Sequence, residues 1–292
     1  MNKCIICKKK EFKVVWNDKI RSSSNKFSKK KEKILQCKFC ELVFLEKPKK
    51  YLENSAITRN LYNKNNSIKE FLDFHSNREK NKLKFIENYV NFKNKKILES
   101  NCGAGILLHA LKRKALKTAG LDNNHYKNFV VSQGHQFYSN ISQMLKNQDR
   151  FDIILSLSEI EHKYNPIKFI KDIKKCLTKN GFVVFRIPNF FNIYMYALNK
   201  SFLKYDYRAS HNYYFSEKNL DLMFNNLDMK IVHKLGYHEY SLNHLFTYIK
   251  TQKRVDINKI KTIFTKNDEK NFKLSVEKTM SSTSLIYILK NN

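Results

Sequence analysis

From Lys95 onward, short apolar runs alternate with segments whose apolar residues recur at helical spacing. That alternation predicts an α/β fold, a parallel sheet with crossover helices. Strands are predicted at 96–100 (KILES), 118–122 (TAGLD), 136–140 (QFYSN), 151–157 (FDIILSL), 181–187 (GFVVFRI), 230–235 (KIVHKL) and 284–290 (SLIYILK). Between the fourth and fifth of these, Asn165 is placed to cap a helix and Pro166 suits its first turn. Ile170, Ile173 and Leu177 recur on one face of that helix, and Gly181 marks where the chain is expected to leave it. A further helix is expected from Ser216, with Leu220, Met223, Phe224 and Leu227 on one side. The aromatic run NFFNIYMY (189–196) reads as a packing helix. Residues 51–93 read as a polar helical connector carrying Leu83, Ile86 and Val90 on its apolar face, and residues 1–50 as a separate small unit.

Composition narrows the classes. Hydrophobic content of 42% is that of an ordinary globular protein and argues against wholesale disorder. The formal net charge is +30, but only eight of the 56 basic residues are Arg, and Lys is spread along the whole chain. Nucleic-acid binders tend to cluster Arg for bidentate and stacking contacts, so most of this charge reads as solvated surface. The excess still attracts anionic partners. The start, MNKCIICKKK, has no apolar core of signal-peptide length. The most apolar later stretch is broken by Arg186 and Pro188, so no membrane span is expected. Those features, with six cysteines, lead us to expect a cytoplasmic protein with reduced thiols.

The stretch KKILESNCGAG (95–105) runs a strand into a glycine turn. Gly103 and Gly105 allow close approach of the backbone to a ligand, and the following helix start offers N–H donors. Asn101 occupies a position where a nucleotide-binding loop carries glycine. Asn enters the left-handed backbone region at low cost, so the loop is altered but not destroyed. Glu99 precedes the turn, and Asp122 ends the next strand, where ribose hydroxyls would be held. A dinucleotide loop would need a third glycine where Leu108 stands. Two acids flanking the loop suit a cationic nucleoside better than a pyrophosphate.

ILESNCGAG resembles the first motif of class I S-adenosylmethionine-dependent methyltransferases, (V/I)LD-x-G-C-G-x-G, and GLD (120–122) is similar to their second. FDIILSLSEIEHKYNP (151–166) resembles their FD-x-I-x-(6)-EH-(3)-P stretch, and SHNYYFSEKNLDLMFNN (210–226) their H-x-x-(Y/F)-F-(S/T)-x-x-x-L segment. The departures are Glu99 for Asp, Ser100 for an apolar residue and Asn101 for Gly. The resemblance implies a Rossmann-like, mostly parallel seven-stranded sheet with helices on both faces over residues 94–292. It also implies S-adenosylmethionine as cofactor. Glu99, Asn101, Gly103, Gly105, Asp122, Asn123 and Ser158 are the residues expected to bind it.

Cys4-x-x-Cys7 and Cys37-x-x-Cys40 offer four thiolates in two knuckles, the donor set of a structural Zn²⁺, with vestigial or redox cysteines as the other readings. CKFCELVFLEKP also resembles the zinc unit that precedes the methyltransferase domain in some sugar methyltransferases.

Glu159, Glu161 and His162 follow the fourth predicted strand, where the crevice of an open α/β sheet lies. Glu161 and His162 are candidates for acid–base work on a substrate hydroxyl, with bracing of the loop as the alternative. His211 is a second candidate base or a turn residue. Tyr240, Asn243 and His244, in EYSLNHL, are candidates for a substrate wall or for an ordinary helix start. These readings favour methyl transfer to a small molecule: an anionic or sugar-like acceptor such as a nucleotide-sugar or glycan precursor. An RNA methyltransferase and a catalytically silent binding module are the alternatives, and the oligomeric state is not legible.

Overall fold

The computed structural model describes residues 3–22, 26–53, 67–198, 200–253 and 260–292; residues 23–25 of the expected N-terminal unit and 54–66 of the expected connector lie outside them. The described chain runs through β1 (Phe12–Asp18), β2 (Glu32–Cys37), β3 (Val43–Leu45), α1 (Ile68–Ile86), β4 (Lys96–Ser100), α2 (Ile106–Leu111), β5 (Lys117–Leu121), α3 (Lys127–Ser132) and β6 (Gln136–Tyr138). It continues with α4 (Ile141–Lys146), β7 (Phe151–Leu157), α5 (Pro166–Lys175), β8 (Leu177–Pro188), α6 (Ile193–Leu198), α7 (Lys200–Asp206) and β9 (Tyr213–Tyr214). The last elements are α8 (Glu217–Asn225), β10 (Met229–Tyr237), α9 (Leu242–Thr251), α10 (Lys266–Lys278) and β11 (Ser284–Asn291). Every strand expected between residues 96 and 290 is present.

Seven of the strands form one sheet in the order β10-β11-β8-β7-β4-β5-β6. β4 pairs in parallel with β5 on one side and with β7 on the other. The strand order therefore reverses at β4, because the chain proceeds outward through β5 and β6 and then returns to β7. Ligands of open α/β sheets bind beyond the carboxyl ends of the strands at such a reversal. The register sets Glu99 opposite Gly120 and Leu155, and Ser100 opposite Leu121 and Ser156.

The chain divides into two compact units. The second comprises Lys50–Phe185, Leu227–His233 and Tyr287–Asn292. It holds Ile97, Leu98, Ala119, Ile153, Ile154 and Leu155 fully buried in its strands. α1 opens with a reciprocal cap in which Ser67 Oγ accepts from Glu70 N–H and the Glu70 carboxylate accepts from Ser67 N–H. Leu83 and Ile86 on its last turns are buried as their spacing predicts; the helix ends before Val90, which is buried just beyond the turn that follows. Asn165 caps α5 through Lys168 N–H, with Pro166 in its first turn.

That helix ends sooner than its pattern suggests. Leu177 is the first residue of β8 instead of the last of α5, and Gly181 lies inside the strand. The need for glycine there is steric: a Cβ would stand 2.9 Å from the Phe151 carbonyl oxygen.

The first unit comprises Met1–Lys49, Arg186–Asn226 and Lys234–Ile286. It carries a second sheet, β1-β2-β3-β9, which the sequence patterning did not reveal. β1 is half-exposed along its length, with Lys13 and Val14 in solvent, so it lacks the apolar alternation that marks a buried strand. β9 is only two residues long and pairs Tyr214 with Val43 and Tyr213 with Phe44. Asn212 secures that junction: its side chain accepts from Lys49 N–H and donates to the Lys49 carbonyl, and its own carbonyl accepts from Leu45 N–H. Ile20, Ile34, Val43, Leu45, Phe190, Tyr207 and Tyr214 pack against one another beneath this sheet. α8 starts at Ser216 with Leu220, Met223 and Phe224 buried, as read from its spacing. No helix among the described residues is long and apolar enough to cross a membrane.

Candidate active site and cysteine cluster

The glycine turn lies in the second unit, between β4 and the six-residue helix α2. Asn101, Gly103 and Gly105 all have left-handed backbone, with φ of 61°, 58° and 75°. Asn101 thus does a glycine's conformational work, as its residue type allows. Three such residues in five turn the chain sharply, and Gly103 and Gly105 make the turn without side chains of their own.

Three contacts bind the turn to β5 and its end, the first being Asn101 N–H to the Leu121 carbonyl at 2.7 Å. Gly103 N–H donates to Asp122 Oδ2 at 2.8 Å, while Asp122 Oδ1 accepts from Asn123 N–H at 2.8 Å. Cys102 packs directly over Gly120, where an added Cβ would lie 2.6 Å from its Sγ. Beneath the turn, Cys102, Ala104, Leu108, Tyr126 and Val130 form a small apolar cluster against Ile68 and Leu72 of α1.

Glu99 and Asp122 are both buried, at the ends of adjacent strands. Asn123 is exposed, whereas the neighbouring Asn124 turns its amide inward. Asn124 Nδ2 and Ser100 Oγ are buried polar atoms without a hydrogen-bond partner among the described residues. Buried polar groups are nearly always satisfied, so these two orphans at the turn suit a polar ligand. Sequence reasoning missed Asn124; its only signal was adjacency to Asn123. Ser158, which follows β7, is also left-handed, with φ of 63°.

After β7, Glu159 is engaged structurally. It accepts from Ser156 Oγ at 2.8 Å and pairs with Lys163 at 2.8 Å. Glu161 is almost fully buried, and its Oε1 lies 4.0 Å from His162 Nε2. His162 itself is partly exposed.

The other candidates lie in the first unit. His211 is buried, with its ring tilted against Tyr214 at 5.6 Å. Tyr240 stacks on His244 at 4.7 Å, and His244 Nδ1 meets the Tyr194 hydroxyl at 2.7 Å. Ser241 caps α9 just before these residues. Asn243 serves the backbone: its Oδ1 accepts from Ile263 and Phe264 N–H, and its Nδ2 donates to Glu269.

A histidine pair backs the turn from α2. His109 Nδ1 lies 2.6 Å from the Gly105 carbonyl and 3.2 Å from His135 Nε2, and His135 Nδ1 lies 2.6 Å from Thr118 Oγ1. Burial lowers the pKa of both rings, with the nearby Lys112 charge acting in the same direction. For His135 the result is about 4.

In the first unit, Cys4, Cys7, Cys37 and Cys40 bring their sulfurs within 4.8 Å of one another. The two knuckles are built alike. In each, the residue after the second cysteine, Lys8 or Glu41, is left-handed (φ 63° and 62°) and donates its N–H to the first cysteine's carbonyl at 3.1 Å. The N–H of the first cysteine then returns to the carbonyl of Lys9 or Leu42. Cys4 lies 3.5 Å from Cys40, and Cys7 lies 3.4 Å from Cys37. Those separations are far beyond a disulfide bond and near the ~3.8 Å edge of a tetrahedron with metal–sulfur bonds of ~2.3 Å. The cluster could hold a zinc ion. Cys102 and Cys176 are buried single thiols.

A family model described as a methyltransferase domain matches residues 74–234. A ubiquinone biosynthesis O-methyltransferase of Coxiella burnetii is 28% identical over 127 residues, covering 40% of this chain and 54% of that protein. The protein of the same name from Pelagibacter ubique is 33% identical over 97 residues, covering 30% and 40%. The chain thus spans about half or less of the length of these curated relatives. Among solved structures, a SAM-dependent methyltransferase from Archaeoglobus fulgidus superposes with a TM-score of 0.50 at 16% identity, covering 76% of this chain and 99% of that one. At that identity the likeness establishes a shared fold.

Two predictions follow from the packing of the turn. Gly120→Ala will lower stability by about 1–3 kcal/mol, the usual cost of overpacking. Adding Cys102→Ala will recover part of that loss, giving a coupling of at least ~0.5 kcal/mol in a urea-unfolding double-mutant cycle. The second concerns acid. Because burial holds His135 neutral, lowering its folded pKa from the ordinary 6.5 to about 4, its contribution is complete above pH 6.5 and declines as pH falls toward 4. His135→Gln will therefore flatten the fall in unfolding free energy between pH 7 and pH 5, measured by urea titration.

Proposed function

Because the chain belongs to the methyltransferase-domain family, we propose that it is an enzyme that transfers the methyl group of S-adenosylmethionine to a hydroxyl of a small molecule. The observation that carries this reading is the turn after β4: three left-handed residues, two of them glycine, between two buried acids and two orphaned polar atoms. A bound nucleoside would meet there a turn whose two glycines put no side chain in the way, together with the unsatisfied Asn124 amide and Ser100 hydroxyl.

S-adenosylmethionine supplies a methyl group already activated by its sulfonium, so the protein's tasks are alignment, exclusion of water and removal of a proton. We assign Asp122 to the ribose hydroxyls, with its second role as acceptor for Gly103 N–H holding the turn in place. Glu99 supplies negative charge for the cationic ligand. Asn101, Gly103 and Gly105 let the backbone come close, and Ser158, Asn123 and Asn124 line the ends of the neighbouring strands. For the acceptor, His162 takes the hydroxyl proton, oriented by the Glu161 carboxylate beside it. His211 is the second candidate for that role. Tyr240, exposed and backed by the stacked His244 ring, offers a ring face suited to a sugar or another flat acceptor. The relatives named for ubiquinone biosynthesis support a hydroxyl-bearing small molecule, and an anionic sugar precursor would suit the basic surface. We assign Zn²⁺ to Cys4, Cys7, Cys37 and Cys40 in a structural role, since four cysteines fill a tetrahedron and leave no open position.

Calorimetry with S-adenosylmethionine tests the cofactor assignment. The chain will bind, and Asp122→Ala will weaken binding at least about tenfold, a loss of ~1.4 kcal/mol. Unchanged affinity would remove the ribose assignment, and no heat at millimolar ligand would leave a silent binding module. For the cysteines, elemental analysis will find one zinc per chain. Cys37→Ser will lose that metal, together with amide-exchange protection in β1 to β3. A folded preparation free of zinc would end that assignment.

A further inference from the structure

α9 is apolar on more of its circumference than its own packing uses. Leu245 and Tyr248 face inward, against Tyr194, Leu198, Phe202 and Phe272. On another face, Phe246 is 45% exposed and Ile249 is 38% exposed, one turn apart. Ile263, 59% exposed, is held beside them. Asn243 on α9 accepts from the backbone N–H groups of both Ile263 and Phe264, and Phe264 sets its ring edge-on to Phe246 at 4.7 Å. Glu269 of α10 completes the clamp by accepting from Leu242 and Asn243 N–H at the start of α9. A buried amide and a carboxylate thus hold the backbone of Ile263 and Phe264 to the start of α9, the helix that carries exposed Phe246 and Ile249. Lys250, Lys253, Lys261 and Lys266, all exposed, surround it in the chain. Among the described residues, the acids nearby in the chain, Asp268 and Glu269, are engaged in capping α10 and α9.

We propose that this face of the first unit docks on an anionic lipid surface, with Phe246, Ile249 and Ile263 entering the headgroup boundary and the surrounding lysines meeting the lipid charge. Exposed aromatic and aliphatic side chains with lysines close by in the chain are features of an interfacial helix. The chain's charge of +30 argues against a second copy of itself as the occupant, because like charges would be brought together. The branched aliphatic side chains argue against nucleic acid, whose phosphates give them nothing to pack on. This inference is independent of methyl transfer, and its test uses no activity.

The test is co-flotation of the full chain with vesicles of phosphatidylglycerol and phosphatidylcholine in equal parts, beside vesicles of phosphatidylcholine alone. The chain will partition onto the anionic vesicles at least about tenfold better than onto the neutral ones. The double variant Ile249→Glu/Ile263→Glu will lose at least about tenfold of that partition while its circular dichroism melt stays unchanged. Both positions are exposed, and Ile263→Ser alone, expected to give a smaller loss in the same direction, guards against a folding defect in the double variant. Absence of binding to anionic vesicles would overturn the proposal. So would equal binding by the folded variants, which would mean that lysine alone governs attachment. A dimer in sedimentation that the double variant dissociates would overturn it in favour of self-association.

Discussion

The hydrogen bond from Gly103 N–H to Asp122 Oδ2 is the constraint on which the candidate site depends. It ties the turn after β4 to the end of β5, and so fixes the spacing between two strands' carboxyl ends at the point where the sheet order reverses. The contact of Cys102 on Gly120 closes the same gap from below. Neither interaction would survive a shift of register by one residue, since Glu99 and Ser100 would exchange faces. The position of every other proposed group, from Glu99 to Asn124, is referred to that junction.

The second unit was readable because its strands are buried and its helices amphipathic. Apolar runs such as IILSL and VVFRI leave little choice of element, and the cap at Asn165 is local chemistry. Where the text misled, tertiary contact decided the outcome. Gly181 reads as a helix terminator, but its requirement comes from the Phe151 carbonyl, far away in sequence. Asn101 was legible because its backbone preference is intrinsic. Asn124 was not, because nothing local distinguishes an inward amide from an outward one. The thiol–glycine contact and the His109–His135 pair were likewise invisible, since both join residues distant in the chain that meet only through tertiary packing.

The first unit shows the opposite balance. Its cysteine spacing announced a cluster, yet the sheet that carries it was unread. β1 faces water, and β9 consists of two tyrosines that become a strand only by pairing with β3. The two knuckles share one backbone solution, a left-handed residue after the second cysteine, although lysine serves in one and glutamate in the other. Neither residue type would be chosen for that conformation on propensity. The hydrogen bonds back to Cys4 and Cys37 stabilise what local preference disfavours.

The junction at Asn212 has a consequence for the birth of the molecule. β3 is complete once residue 45 has been made, but its outer neighbour is Tyr213–Tyr214. At about 5–20 residues per second, the ribosome needs roughly ten to thirty seconds to deliver that neighbour. Throughout that interval the nascent chain presents a bare sheet edge of valine, phenylalanine and leucine, the kind of edge that invites pairing with a stranger. Correct assembly is therefore a race between translation and misassociation for a unit that joins Met1–Lys49 to segments beginning at Arg186.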